Sequence, residues 1–129
     1  MITDLGKGEY LLLTTFRKNG TPVATPVWVA WEGEEIYAWS AKETGKVKRI
    51  RNSGDVEIGP CDYRGNPKGD SVPAHAELMS DEESDHVRDL ITKKYGVMGW
   101  LTMFGSKLRR GRTGTIGIRI TERQPEVDG

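Results

Sequence analysis

The sequence lacks the residues and segments that would support an extracellular, membrane-bound or metal-dependent protein. Its single cysteine, Cys61, cannot form an internal disulfide. Cys61 and the two histidines, His75 and His86, match no standard zinc-ligand spacing. No apolar run approaches the roughly 20 residues of a membrane span, and the N-terminal residues lack the basic and apolar regions of a signal peptide. We therefore expect a soluble, cytoplasmic protein with no bound metal and no membrane partner.

The chain also lacks an excess of charge of either sign. Its 129 residues include 19 Lys and Arg and 19 Asp and Glu, so no global field draws it to nucleic acid. Basic charge is nevertheless concentrated in one place, residues 42–51, with five basic residues and one acidic residue in ten positions. A local positive cluster on a neutral protein indicates a discrete anionic ligand more than a polyanion. A solvated basic surface is the alternative interpretation.

Hydrophobic periodicity predicts six β-strands and two helices. The strands are expected at Tyr10–Phe16 and at residues 22–31, 35–40, 55–63, 70–79 and 113–121. Helices are expected at about 44–52, after the third strand, and at about 81–95, after the fifth. The length fits one domain, residues 1–129, of which 122–129 form a polar, frayed tail. A mainly β fold follows, because six antiparallel strands with alternating faces usually close into a small barrel.

The basic cluster coincides with the start of the first helix. Thr44 is predicted to cap that helix and to leave its backbone N–H groups facing outward. Lys46 and Arg49, three residues apart, would share one face, whereas Val47 and Ile50 would pack inward. A capped helix start with clustered cations is typical of a phosphate site. The residues alone leave this interpretation and the solvated surface equally open.

The second strand alternates bulky and small residues and contains Pro26 and Trp28. Pro26 has no N–H group to donate to a ladder, so it predicts a sheet edge or a bulge. Trp28 lies on the face opposite the bulky residues. It is therefore either a core residue or a platform on which a ligand ring stacks.

Six segments, taken in order and spacing, resemble a known family. They are Leu12–Gly20, Thr25–Trp28, Thr44–Arg51, Pro60–Asp62, Lys93–Gly96 and Leu108–Arg112. Together they make the chain similar to the pyridoxamine 5′-phosphate oxidase-like superfamily, the FMN-binding split β-barrel proteins. Within that superfamily the chain looks most like the deazaflavin-dependent oxidoreductases, which use coenzyme F420. The likeness extends from about Gly8 to Thr121, so it implies a six-stranded antiparallel split β-barrel with inserted helices.

The resemblance also implies a homodimer with cofactor sites at the subunit interface. It points to Lys46 and Lys48 as contacts to the cofactor phosphate or tail, with Ser40, Thr44 and Arg49 as further candidates. The ring is expected along Thr25, Pro26, Val27 and Trp28, with Pro60 and Cys61 nearby. Tyr95 and Trp100 are expected at the rim of the pocket or at the dimer interface.

The implied activity is hydride transfer between F420 and a small conjugated substrate, such as an enoate, a quinone or a tetrapyrrole-like molecule. The sequence shows no Ser-His-Asp set and no acid–base pair, which suits an enzyme whose cofactor carries the chemistry. Catalytic residues stay unassigned, and the final proton would come from solvent or from a side chain such as Tyr95. Three alternatives stay open: an FMN-dependent oxidase or reductase of the same fold, a non-catalytic cofactor carrier or sensor, and nucleic-acid binding, which the neutral net charge disfavours.

Overall fold

Six antiparallel strands form a closed barrel in the order β1-β2-β3-β6-β5-β4. A computed structural model describes the backbone of residues 3–110 and 114–122, and the side chains of residues 4–96 and 114–122. The elements are α1 (Thr3–Gly6), β1 (Tyr10–Phe16), β2 (Pro22–Glu32), β3 (Glu35–Ala41), α2 (Gly45–Asn52), β4 (Asp55–Pro60), β5 (Val72–Leu78), α3 (Asp81–Arg110) and β6 (Thr115–Glu122). This arrangement confirms the predicted mainly β barrel with helices after the third and fifth strands.

The core has two parts, one inside the barrel and one outside it. Alternate strand residues point inward, and the fully buried side chains of Leu11, Leu13, Ile58 and Ile118 belong to the interior cluster. Outside the barrel, α3 packs Val87 and Ile91 against Ala30, Tyr37 and Met79. One side of the outer face of the barrel is therefore covered by α3.

Strand β2 changes partners along its length, and this change positions the site. Its first part, residues 22–28, pairs with β1, and Val29–Glu32 pairs with β3. Pro26 lies opposite Leu12 in the first part, and the described ladders give it no partner on its other side. The predicted edge position of Pro26 is thus confirmed, because a proline is tolerated where the strand is paired on one side alone.

The two main helices begin differently. Helix α2 buries Val47 and Ile50 as predicted, but the predicted cap by Thr44 is wrong. The Thr44 hydroxyl makes no capping bond and instead donates to the Ala41 carbonyl over 3.0 Å. At α3, Ser80 and Glu83 form a reciprocal capping box: each accepts the other's backbone N–H over 3.1 Å.

Other differences from the prediction occur where strands and helices end. Helix α3 continues to Arg110, although its backbone leaves the helical region at Gly96 (φ 61°, ψ −134°). Strand β4 ends at Pro60 rather than at residue 63, because Cys61 leaves the ladder and forms a single bridge with Pro67. The sequence pattern did not predict helix α1. No helix among the described residues is long and apolar enough to cross a membrane.

Candidate functional site

An open groove lies on the outside of the barrel, where β2, β3 and the start of α2 meet. Its volume is about 310 Å³. The residues that line it are Tyr10, Pro26, Val27, Trp28, Trp39, Ser40, Ala41, Thr44, Lys46 and Tyr63. Six of these belong to the cofactor-binding set expected from the sequence: Pro26, Val27, Trp28, Ser40, Thr44 and Lys46. The fold therefore brings the centre of β2 and the first turn of α2 to one surface.

Lys46 forms the positive end of the groove. Its side chain is half-buried, and its Nζ donates to Ser40 Oγ over 3.4 Å. No carboxylate among the described residues pairs with it. Burial lowers the pKa of Lys46, and the neighbouring charge of Arg49 lowers it further. An anionic ligand would stabilise the charged form of such a half-buried cation, because it would supply the missing counter-ion.

Two hydroxyl groups lie beside this ammonium. Ser40 Oγ and Thr44 Oγ1 are 3.0 Å apart, and both are in hydrogen-bond contact with the Ala41 carbonyl. Because Thr44 bonds this carbonyl, its hydroxyl leaves the first N–H groups of α2 uncapped. The end of β3 and the start of α2 thus place a cation and two hydroxyls at one point of the groove.

Arg49 adds a second cation next to Lys46 but does not line the groove. Its Nε donates to the buried Thr15 hydroxyl over 2.6 Å, which ties α2 to β1. Its guanidinium folds over the first turn of α2, where a Cβ atom at Gly45 would lie 2.6 Å from Nη1. Glycine at position 45 therefore leaves the room that the guanidinium occupies.

The other end of the groove is aromatic. Tyr10 and Trp28 are directly opposite in the β1–β2 ladder and so share the outer face of the barrel. The Trp28 ring stacks on Tyr95 of α3, with the ring centroids 4.4 Å apart and the planes 10° from parallel. Tyr63, which is 62% exposed, lines the groove from the turn after β4. A flat, apolar wall thus adjoins the positive end.

A second cavity of about 420 Å³ adjoins the groove. Its lining consists of Lys7, Glu9, Tyr10, Trp28, Lys94 and Tyr95. Tyr10 and Trp28 line both spaces and form the partition between them. Burial raises the pKa of Tyr95 to about 12. Removal of its ammonium from water lowers the pKa of Lys94 to about 8. The partition is therefore backed by two α3 side chains, the half-buried Tyr95 and the more exposed Lys94, whose polar atoms bond to backbone carbonyls.

The remaining residues of the expected set do not line the groove. Thr25 lies opposite Leu13 on the interior face of the barrel, and Lys48 is exposed on α2. Pro60 accepts a hydrogen bond from the Lys68 N–H in the following turn over 2.9 Å. Cys61 is buried, and burial raises the pKa of its thiol. The side chain of Trp100 lies outside the described residues.

Sequence reasoning missed four lining residues: Tyr10, Trp39, Ala41 and Tyr63. For Tyr10 a signal was present, because the period-two pattern of β1 and β2 places it beside Trp28 once the register of the hairpin is known. Tyr63 carried no such signal, since its position depends on how the turn after β4 folds back.

Comparisons with known proteins identify the fold. No protein-family model matches the sequence, and no curated protein matches it. Among solved structures, a proposed pyridoxamine 5′-phosphate oxidase from Listeria innocua is similar, with a TM-score of 0.64, 19% identity and coverage of 95% of this chain and 90% of that one. A protein named F420 reductase has a TM-score of 0.60 and 17% identity over 94% of this chain and 92% of its own.

A third similar structure is HutZ, described as a heme storage protein, from Vibrio cholerae. Its TM-score is 0.62 at 15% identity, and the match covers 96% of this chain and 89% of HutZ. Identities this low establish a shared fold, while function depends on the site that each protein builds upon it. The chain therefore shares with these three proteins the fold of a six-stranded antiparallel split β-barrel.

Proposed function

We propose that this chain is an oxidoreductase that binds coenzyme F420 in the groove and transfers a hydride between it and a small conjugated substrate. The observation that carries the proposal is Lys46: a half-buried cation, without a carboxylate partner in the described part of the chain, beside an aromatic wall. The solved structure named F420 reductase, which has the same fold, supports the choice of cofactor.

The positive end of the groove fits a phosphate group. Lys46 would supply a charge-assisted hydrogen bond, and the hydroxyls of Ser40 and Thr44 would complete the contacts. Lys48 and Arg49 lie on the same short helix, beside the groove rather than in it. In the proposal they extend the positive surface along which the acidic tail of the cofactor would run.

The aromatic end fits a planar ring system. Val27 and Pro26 form the floor along β2, and Trp28 offers a ring for stacking. When bound, the deazaflavin would supply the hydride, while the protein would orient the ring, hold the acceptor beside it and exclude water. Among the residues that the structure describes, the groove lining includes no carboxylate, histidine or cysteine. Solvent is therefore the proposed source of the final proton.

Two other functions fit the same groove. FMN also carries a phosphate and a planar ring, so an FMN-dependent oxidase or reductase uses the same contacts. A non-catalytic cofactor carrier is favoured by the absence of carboxylate, histidine and cysteine side chains from the described lining of the groove. These alternatives differ from the proposal in which cofactor binds and in whether a bound cofactor turns over.

The deciding experiment is a fluorescence-quench titration of the apo protein with F420 and, separately, with FMN. We expect micromolar or tighter binding of F420 and much weaker binding of FMN. Tighter binding of FMN than of F420 would favour the FMN-dependent alternative. Binding of neither cofactor would contradict the proposal. Turnover of reduced F420 with a panel of quinones, enoates and nitro compounds then tests catalysis, and tight binding without turnover would identify a carrier.

A further inference from the structure

Tyr95 is placed to control the orientation of Trp28. The two rings are nearly parallel at 4.4 Å, so Tyr95 covers one face of the indole. Only the opposite face and the edges of Trp28 are then available to a ligand in the groove. Tyr95 immediately precedes Gly96, at which the backbone of α3 leaves the helical region. Its ring position is therefore set at the end of the regular part of α3.

The hydroxyl of Tyr95 fixes that ring through the backbone of β2 and of the residue just before β1. It accepts a hydrogen bond from the Val29 N–H over 3.1 Å and donates to the Glu9 carbonyl. Tyr10 pairs with Trp28, so continuing the ladder by one residue would put Glu9 opposite Val29. At that position β2 turns to β3 instead. The phenol hydroxyl thus lies between β2 and the residue before β1 and bonds to a backbone group of each.

Lys94 reinforces the same junction. Its ammonium donates to the carbonyls of Gly6, Gly8 and Val29. Together with Tyr95 it holds the segment before β1 against β2 and α3. Because the ring and hydroxyl of Tyr95 are both held, the residue has little freedom to move toward a substrate.

The hydrogen bonding and the pKa of the Tyr95 phenol favour a structural role over proton donation. Its single proton is directed to a backbone carbonyl, and burial holds its pKa far above neutral pH. A general acid in the reaction would have to release that proton and break the contact that links Glu9, just before β1, to β2. Resting on the proposed function, we propose that Tyr95 is a positioning residue that presents one face of Trp28 to the cofactor ring, and that it is not the proton donor.

Two substitutions separate the ring from the hydroxyl. Tyr95→Phe keeps the stack and removes the hydroxyl, whereas Tyr95→Leu removes both. We expect Tyr95→Phe to keep cofactor affinity within about 3-fold and to leave the pH profile of kcat unchanged. Tyr95→Leu should weaken binding by about 3- to 10-fold, the range of an aromatic pair. Lys93→Met, on the exposed face of α3, is the matched control and should match wild type.

A spectroscopic readout tests the positioning without any cofactor. The near-UV circular dichroism of Trp28 is obtained as the difference between wild type and Trp28→Phe. We expect this signal to persist in Tyr95→Phe and to be lost in Tyr95→Leu, while far-UV spectra show that both variants fold.

Each other outcome has a definite meaning. Loss of turnover in Tyr95→Phe with normal cofactor affinity would make Tyr95 the proton donor and overturn the inference. Unchanged affinity and an unchanged Trp28 signal in Tyr95→Leu would also overturn it. If wild type bound neither F420 nor FMN, but the Trp28 signal was lost in Tyr95→Leu, the proposed function would fail and the positioning of Trp28 would stand.

Discussion

At the scale of single residues, Lys46 and Lys48 differ through helix geometry rather than residue type. Two positions along an α-helix correspond to about 200° of rotation, so the two side chains project to different sides of α2. Lys46 faces the groove and Ser40, whereas Lys48 is exposed. The sequence resemblance predicted both lysines equally, because it could not assign the face of a short helix relative to a groove formed by distant strands.

The lowered pKa of Lys46 predicts that cofactor affinity depends on pH. Binding a phosphate requires the charged ammonium, and burial and Arg49 both favour the neutral form in the free protein. Affinity should therefore be greatest below the pKa of Lys46 and should fall as pH rises through it, earlier than for an ordinary lysine near 10.4. The measurement is the dissociation constant from about pH 6 to about pH 10. A flat wild-type profile would contradict this account, and Lys46→Met should lack the dependence.

Thr44 shows why a local motif can fail. A threonine before a helix usually caps it, but here Ser40 and the Ala41 carbonyl lie within 3.0 Å of the Thr44 hydroxyl. The end of β3 thus competes for the hydroxyl, and this tertiary contact has no signature in the four residues around Thr44. The capping box at Ser80 was predictable because both of its partners are local in sequence.

At the scale of elements, most strand bounds followed from alternation and turn residues. The bounds of strand β1 were predicted correctly at both ends, because a β-favouring apolar run is followed by the Asn19-Gly20 turn. Gly20 adopts φ 89° in that turn. Strand β4 was predicted too long because Cys61 and Tyr63 have β-favouring side chains, whereas the bridge to Pro67 folds the chain away from the ladder. Such a departure depends on contacts outside the strand.

The break in α3 predicts a stability effect at Gly96. Its backbone has φ 61° and ψ −134°, a conformation that is strained for any residue with a side chain. The strain is in the backbone, because a Cβ atom at this position would meet nothing within 4 Å. Gly96→Ala should lower the free energy of unfolding by about 1–3 kcal/mol. Gly8→Ala, whose Cβ would make ordinary contacts, is the control and should stay within about 0.5 kcal/mol of wild type. Denaturant unfolding measures both, and equal stabilities would contradict the strain assigned to Gly96.

The junction of α3 with the strands predicts a second stability effect, at Lys94. Lys94→Met leaves the carbonyls of Gly6, Gly8 and Val29 without this donor, which should lower the free energy of unfolding by about 1–3 kcal/mol. Lys93→Met removes an adjacent, exposed lysine and should change it little. If thermal and denaturant unfolding gave the same loss for both variants, the three contacts would not stabilise the fold.

At the scale of the whole molecule, the fold was more predictable than the site. Alternating strands and their turns were enough to predict the barrel, because burying one face of each strand admits few closed arrangements. The site depends on the strand register and on the packing of α3, so Tyr63 could not be assigned from the sequence, and Tyr10 could be assigned once the hairpin register was known. No residue pattern names the substrate, since a few side chains around a cofactor determine its shape.

The family resemblance predicts a homodimer, and this stays a prediction. Sedimentation equilibrium should give about twice the 14.4 kDa chain mass. The physical reason is that the groove is open on the outside of the barrel, so that a second subunit would cover the bound ring and exclude water. A folded monomer with normal cofactor affinity would contradict the prediction.

The most direct test of the central claim, that Lys46 forms the anion-binding end of a cofactor groove, compares two lysines on the same short helix. The dissociation constant for F420 is measured for wild type, Lys46→Met and Lys48→Met under one set of conditions. We predict a loss of about 10- to 100-fold for Lys46→Met, because a charge-assisted hydrogen bond is removed. The exposed Lys48 should contribute less than about 5-fold. Unchanged affinity in Lys46→Met, or an equal loss in both variants, would contradict the account.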